Sequence, residues 1–274
     1  MPEALKTAGL LKGLLARDAG RLEPPPYDSN RDEETHLLNP TGIQDYSLRL
    51  AGAVSETLGE GRFPIVLGGD CSILMGCMLA LRRRGRYGLF FADGHADFYL
   101  PEQSETGEAA DSDLALVSGK GPETVTDIDG LKPLVRDEDT VVFGYRDGEE
   151  AASYGSLEVK DTGMSVFDLD RVKELGLEEA AQEAVGGLLQ DELSGFWIHL
   201  DVDVLDDEVM PAVDYRMAGG GMSFEALSEL LHILLNTGRA MGMDVTIFNP
   251  ALDEDGRIAR ELTSALNAGL GGLD

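Results

Sequence analysis

Short apolar runs alternate with amphipathic stretches along most of the chain. Phe63–Leu67, Tyr87–Ala92, Thr140–Tyr145, Met164–Phe167, Phe196–Leu200 and Met241–Phe248 read as strands. Helical spacing is predicted from Cys71 to about Arg84, near Ser112–Ser118, and over Leu169–Leu175, Leu177–Leu193, Phe224–Leu235 and Gly256–Ala268. Asp70 is a candidate N-cap for the first of these, and Asp168 or a neighbour for the third. The chain opens on an amphipathic helical stretch, Glu3–Leu15, with Leu5, Leu10, Leu11, Leu14 and Leu15 near helical spacing. Phe98–Asp113 is irregular and acidic. Strands alternating with helices imply crossover units, hence a mainly parallel sheet with helices on both faces. In such sheets a ligand site lies beyond the carboxyl ends of the strands. No internal repeat or long low-complexity linker interrupts the pattern, so residues 1–274 read as a single α/β domain.

Charge then narrows the class of partner. The formal net charge is −29, from 22 basic and 51 acidic residues. That argues against nucleic acid or an anionic membrane and is compatible with a cationic ligand. Six of the basic residues are Lys and sixteen are Arg. A lysine-poor acidic surface suits high salt, where screening relieves self-repulsion. No apolar run is long enough for a transmembrane helix, and the N-terminus lacks the order of a signal peptide. Cys71 and Cys77 fall six apart in one predicted helix, a rotation of about 240° that keeps them from pairing. A cytoplasmic location fits.

The chemistry gathers at two predicted strand ends. Asp93-Gly-His-Ala-Asp97 follows Tyr87–Ala92 directly, and His199-Leu-Asp201-Val-Asp203 ends the strand that begins Phe196-Trp197-Ile198. If the chain stays extended, alternate residues face one way, so Asp93, His95 and Asp97 converge as a divalent metal site requires. A lone acidic residue here caps a helix or sits in a turn as readily as it binds metal. Two such segments together favour the metal.

The ordered set GGDCS (68–72), DGHADF (93–98), HLDVDVLD (199–206) and FNPALDEDG (248–256) resembles the ureohydrolase family of arginase, agmatinase and formimidoylglutamase, from about Thr7 onward. The resemblance implies a three-layer α/β/α fold around a mainly parallel sheet of about eight strands. It implies two bridged manganese ions per subunit, whose shared hydroxide attacks a guanidinium carbon. The substrate would be a small cationic guanidino or amidino compound, and the assembly a homo-oligomer. Matched by motif, Asp93 and Asp201 are the bridging carboxylates. His95 and Asp203 complete one metal's ligands, and Asp97 and Cys71 the other's.

Four departures accompany the resemblance. Cys71 stands where the family has His, and thiolate favours Zn²⁺, Fe²⁺ or Co²⁺ over Mn²⁺; a hydroxyarginine-hydrolysing branch carries the same Cys. Read without the resemblance, Cys71 is a small buried residue. No His lies in the 98–113 loop, where arginases hold a proton shuttle; Ala110 stands there by rough alignment. Ile247 occupies the place of the Glu that holds the guanidinium, and Glu108, Asp111 or Asp113 could substitute for it or be solvated loop acids. The family's first strand is missing or replaced, which would leave a sheet edge open. His199 either orients a ligand carboxylate or is a core histidine bonded to backbone. Asp206 more readily bonds the turn backbone than the site. The sequence therefore supports a metal-dependent hydrolase of a linear guanidine or amidine, with Asp97, His199 and Glu108 as candidate catalytic groups. The alternatives are a catalytically silent metal-binding member and a hydrolase of an amide-type C–N bond.

Overall fold

The structure, a computed structural model, describes residues 1–271. Six strands make one sheet: β1 (Ile65–Leu67), β2 (Gly88–Ala92), β3 (Thr140–Phe143), β4 (Ser165–Phe167), β5 (Phe196–Asp201) and β6 (Ala240–Thr246). Their order is β1-β6-β5-β2-β3-β4, and every pairing is parallel. The count is six rather than about eight, while the layering is as expected. Phe90, Phe143, Phe196, Ile198 and Val245 pack on one face, towards helices Leu177–Gly186, Phe224–Asn236 and Arg257–Leu270. Leu89, Phe91, Val142 and Trp197 pack on the other, towards helices Pro40–Gly59 and Ile73–Arg82. Helices on both faces explain why every residue of β2 and β5 is buried and why these strands read as unbroken apolar runs.

Register brings polar residues of the three central strands side by side. Phe91 on β2 lies opposite His199 on β5, which lies opposite Asp244 on β6. All three side chains belong to the same face, and a slip of one residue would send them to the other.

One edge of the sheet is β1, three half-buried residues bordering a cavity of about 1450 Å³. Leu10, Leu14 and Tyr46 line the other side of that cavity. Ahead of the long helix, residues 16–39 contribute only an isolated bridge between Arg31 and Leu38.

Several elements differ from their sequence pattern for local reasons. The N-terminal stretch is two short helices, Pro2–Thr7 and Leu10–Gly13, broken where Gly9 takes φ +106°. The helix from Leu177 stops at Gly186, because two adjacent glycines, Gly186 and Gly187, weaken it there. The helix after β1 begins at Ile73. Asp70 does not cap it but accepts the Ser72 N–H at 2.8 Å in the turn before it. Asp168 does cap Leu169–Leu175, accepting from the Arg171 N–H. The longest helix, Pro40–Gly59, has no counterpart in the strand-and-helix pattern described above. No helix among the described residues is long and apolar enough to cross a membrane.

Candidate metal centre

The two acidic segments meet at the carboxyl ends of β2 and β5, but not as extended chain. Asp93 directly follows β2, and its Oδ1 accepts the His95 N–H at 2.6 Å. Asp201 ends β5, and its Oδ1 accepts the Asp203 N–H at 2.7 Å, opening a 3-10 turn over Val202–Val204. Each pair is thus a side-chain-closed turn, which bends the backbone around the point where the side chains converge. Asp97 lies beyond the first turn with φ +42°, a conformation that Asp tolerates better than most residues. The alternating-strand expectation is replaced by this turn geometry, because each carboxylate captures the N–H two residues on before a strand can continue.

Two ligand-type groups come together across the turns. Asp93, His95 and Asp203 form one, and Cys71, Asp93 and Asp201 form another, with ligand atoms in each within 4.8 Å of one another. His95 Nδ1 lies 2.8 Å from Asp203 Oδ2 and 3.8 Å from Asp93 Oδ1. Cys71 Sγ donates to Asp201 Oδ2 at 2.9 Å and lies 3.2 Å from Thr246 Oγ1. Asp97 is a member of none of these groups, although the charges of Asp93, Asp113, Asp203 and Asp201 act on its carboxyl. Glu108 is not brought to the carboxylates. It accepts from the Tyr27 hydroxyl at 3.0 Å and lines the large cavity with Asp70 and Ser72. Asp111 accepts from the Ser104 and Thr106 hydroxyls, which close its loop. Asp206 accepts the Glu208 N–H, in the turn where the sequence places it.

A third group forms on the buried side of Cys71, from Cys71, Asp113 and His199. His199 bonds Asp244 through Nδ1, not a backbone carbonyl, and its ring stacks on Phe91 at 4.7 Å. Trp197 Nε1 donates to the other oxygen of Asp244. The His199 Nε2 atom lies 3.8 Å from both Asp93 Oδ2 and Asp113 Oδ2.

Electrostatics here is dominated by crowded carboxylates. Burial, then repulsion from their neighbours, pushes the Asp97 and Asp201 carboxyls well above the usual range, and burial raises Asp93 to about 6. Burial likewise raises Asp113 well above that range, outweighing the opposite pull of His199. Burial would also raise Asp203, but the charge and hydrogen bond of His95 hold it below. Burial opposes charge on His95, yet Asp203 and Asp93 more than offset this and bring it to about 10. The Cys71 thiol is pushed well up by burial and the surrounding carboxylates. Like charges packed this closely are relieved by taking up protons or cations.

Asp93 Oδ2, His95 Nε2, Asp113 Oδ2 and His199 Nε2 are buried without a hydrogen-bond partner among the described residues, as are Ser112 Oγ and Arg146 Nε and Nη1 beside them. Buried polar atoms are otherwise almost always partnered, so this concentration fits cation binding. The donor set of carboxylate, imidazole and thiol suits divalent first-row metals.

Four neighbouring residues escaped the sequence reading. Arg146 Nη2 donates to Asp203 O at 2.9 Å, and Asp147 Oδ1 accepts the Ala96 N–H at 3.0 Å. Both follow β3 closely, so a charged pair just past an apolar run was the available signal. Asp244 is a lone acid inside an apolar strand, a mismatch that itself flags a polar partner across the sheet. Tyr215 donates to Glu150 at 2.6 Å, and its ring lies 5.3 Å from that of His95. No local pattern announced it. Gly94 permits the close approach at the centre, since a Cβ there would stand 2.5 Å from Arg146 Nη1 and 2.6 Å from Asp203 O.

Comparison with known proteins places this arrangement. A family model described as the arginase family matches residues 6–270. An arginase of Staphylococcus aureus (strain COL) is 27% identical over 278 residues, covering 98% of this chain and 90% of that protein. An arginase of Brevibacillus brevis is 30% identical, covering 98% of this chain and 91% of its own length. The solved structure of Bacillus caldovelox arginase superposes with a TM-score of 0.86 at 25% identity, covering 98% of this chain and 91% of that one.

Proposed function

The chain belongs to the arginase family, and from that premise and the geometry of its carboxylate centre we propose that it hydrolyses a C–N bond of a small cationic guanidine or amidine. The observation that carries the reading is that Asp93, His95 and Asp203, and Asp93, Asp201 and Cys71, come together beyond β1, β2 and β5, with Asp93 Oδ2 and His95 Nε2 buried and without a hydrogen-bond partner among the described residues. In this reading Asp93, His95 and Asp203 hold one metal. Asp93, Asp201 and Cys71 hold the second, to which the resemblance adds Asp97. Manganese suits the oxygen and imidazole donors, whereas Cys71 shifts preference towards zinc, iron or cobalt. Bound there, two cations supply a water-derived nucleophile at neutral pH.

The chain's own residues do the holding and orienting. His95 and Asp203 fix each other, and Asp147 ties the Ala96 amide so that the 93–97 turn keeps its shape. Arg146 anchors the backbone after Asp203. Burial of the centre excludes bulk water and strengthens its field on a cationic substrate. Tyr215, over His95 and bonded to Glu150, forms one wall of the approach. Glu108 serves as a rim carboxylate on the cavity side rather than as a clamp at the metals. The proton for the leaving group comes from water or from a group other than His, since Ala110 stands where arginases carry their shuttle. A homo-oligomer in the cytoplasm completes the proposal.

A silent, metal-binding role is the second reading. It is favoured by Ile247 at the place of the guanidinium-binding Glu. Release of urea or ammonia from a panel of guanidino compounds with added Mn²⁺ separates the two. The enzyme reading expects release, lowered at least about a hundredfold in Asp203→Asn. Full activity in that variant would remove the carboxylate centre from the reaction. Hydrolysis of acyl substrates alone would point to an amide-type bond.

A further inference from the structure

Tyr215 is held beside the carboxylate centre with much of its surface open to solvent. Its ring lies 5.3 Å from that of His95 and is tilted 58° to it, yet the residue is 56% exposed. Both chain neighbours are tied down. Asp214 accepts from Asn249 Nδ2 at 2.8 Å, and Arg216 makes two bonds to Asp207, at 2.5 and 2.7 Å. Further out, the Asn249 N–H donates to the Ala212 carbonyl at 2.8 Å, and Met222 pairs with Leu205 in a parallel bridge. The loop is thus anchored on the segments that follow β5 and β6, with Tyr215 between its anchors. The Tyr215 hydroxyl donates to Glu150 Oε1 at 2.6 Å, on helix Gly148–Ser153 beyond β3. Segments from three strand ends therefore fix one phenol ring. Core packing does not account for it, since Tyr215 belongs to neither apolar cluster.

The free charge around this ring is of one sign. Glu150 holds its hydroxyl, and the charge of Asp147, which accepts the Ala96 N–H, also acts on it. The hydrogen bond to Glu150, then burial, push the phenol up to about 12, so the ring stays neutral. The neighbouring guanidinium groups are engaged elsewhere, Arg216 with Asp207 and Arg146 with the Asp203 and Leu205 carbonyls. No carboxylate directly follows β6, where Ile247 packs on the apolar core. An aromatic face attracts a cation placed within about 6 Å of its centroid, and carboxylates behind it add to the attraction. A flat, delocalised cation can in addition stack on the ring. A neutral amide or urea of the same shape gains nothing from the charge.

We propose that Tyr215 selects the charge of the substrate: its ring face, backed by Glu150, receives a planar guanidinium or amidinium group beside His95 and discriminates against neutral ureas and amides. This rests on the hydrolase reading of the centre and adds to it the residue that sets the class of substrate. Glu150 acts through Tyr215, by orienting the ring and by placing a negative charge behind it. The contact exists before any bond breaks, so its loss is read in binding and in KM rather than in kcat.

Calorimetric titration of the full-length protein supplied with Mn²⁺ tests this, with n-butylguanidinium and the neutral n-butylurea as probes. The wild type is expected to bind the guanidinium at least about tenfold more tightly than the urea. Tyr215→Leu is expected to weaken guanidinium binding about tenfold and to leave urea binding within about twofold. Tyr215→Phe keeps the ring and is expected to lose no more than about threefold, and Glu150→Gln to fall between the two. Metal content should match the wild type throughout, because neither side chain belongs to the ligand groups. An unchanged guanidinium affinity in Tyr215→Leu, or equal losses for both probes, overturns the proposal. So does a wild type that binds the two probes alike or binds neither. Should Tyr215→Leu not fold, the wild-type preference and its reduction in Glu150→Gln decide. Urea release reads out separately. Guanidinium binding that depends on Tyr215 without hydrolysis keeps this inference and loses the enzymatic reading, and guanidine hydrolysis with KM unchanged in Tyr215→Leu does the reverse.

Discussion

Ile247 holds a backbone conformation with φ +70°, which β-branched residues rarely adopt. Its N–H donates to the Gly69 carbonyl at 2.8 Å, which ties the end of β6 to the turn before Cys71. Such a conformation costs on the order of 1–3 kcal/mol and persists where the surroundings enforce it. Asn tolerates the left-handed region far better, so Ile247→Asn is expected to raise stability by about 1 kcal/mol in urea unfolding. A loss of similar size would show that packing of the Ile side chain on the core outweighs the strain. Of the candidate site, the residue types at 93, 95, 201 and 203 were legible, because acids and imidazole directly after buried strands have few other reasons to be there. The turns that aim them were not, because a carboxylate capturing the N–H two residues on is a local choice that composition does not reveal. Asp113 was legible only as one of several loop acids. Its burial beside His199 depends on a segment 86 residues away in the chain.

Helix Pro40–Gly59 packs on helix Ile73–Arg82, and together they cover the face of the sheet that carries Phe91 and Trp197. Asn39 followed by Pro40 was a fair start signal, and Ser47, Leu50, Ala51, Val54 and Leu58 mark the buried stripe. Gly42, Gly52 and Gly59 dilute that stripe, and only contact with the neighbouring helix makes it persuasive. The close contact is at Gly76, where an added Cβ would stand 2.9 Å from Leu50 Cβ. Ala in place of Gly gains about 1 kcal/mol of helix propensity, whereas overpacking costs typically 1–3 kcal/mol. Because the clash is with a Cβ rather than a flexible tip, overpacking should win. Gly76→Ala is expected to lower stability by about 1 kcal/mol in denaturant unfolding, and a stabilised variant would mean that the two helices separate easily. The strands were the more legible elements, since four of the six lie within an apolar run of the sequence pattern and β5 runs past its own only at Asp201. β6 also lies there except for Ala240, one residue earlier.

The whole molecule carries a net charge of −29, and its interior adds a knot of carboxylates to the self-repulsion of its surface. Salt shortens the reach of that repulsion to about 3 Å at 1 M from about 10 Å at 0.1 M. The melting temperature is therefore expected to rise between dilute and molar salt; scanning calorimetry showing no rise would mean that surface repulsion is not what limits stability. Bound metal should add to this in proportion to RT ln(1 + [metal]/Kd), so chelator is expected to lower the melting temperature and excess Mn²⁺ or Zn²⁺ to restore it. At this scale the sequence by itself determined the layered α/β architecture, the ends of the sheet at which chemistry gathers and the residue types found there. These follow from periodicity and from strand-end position, both of which are local along the chain. Only the tertiary structure decided that the sheet has six strands, that Glu108 faces a cavity away from the carboxylates, and that Asp113, His199 and Asp244 meet in the core. Those facts depend on parallel register between β2, β5 and β6, whose partners lie far apart in sequence and are chosen by packing on both faces at once.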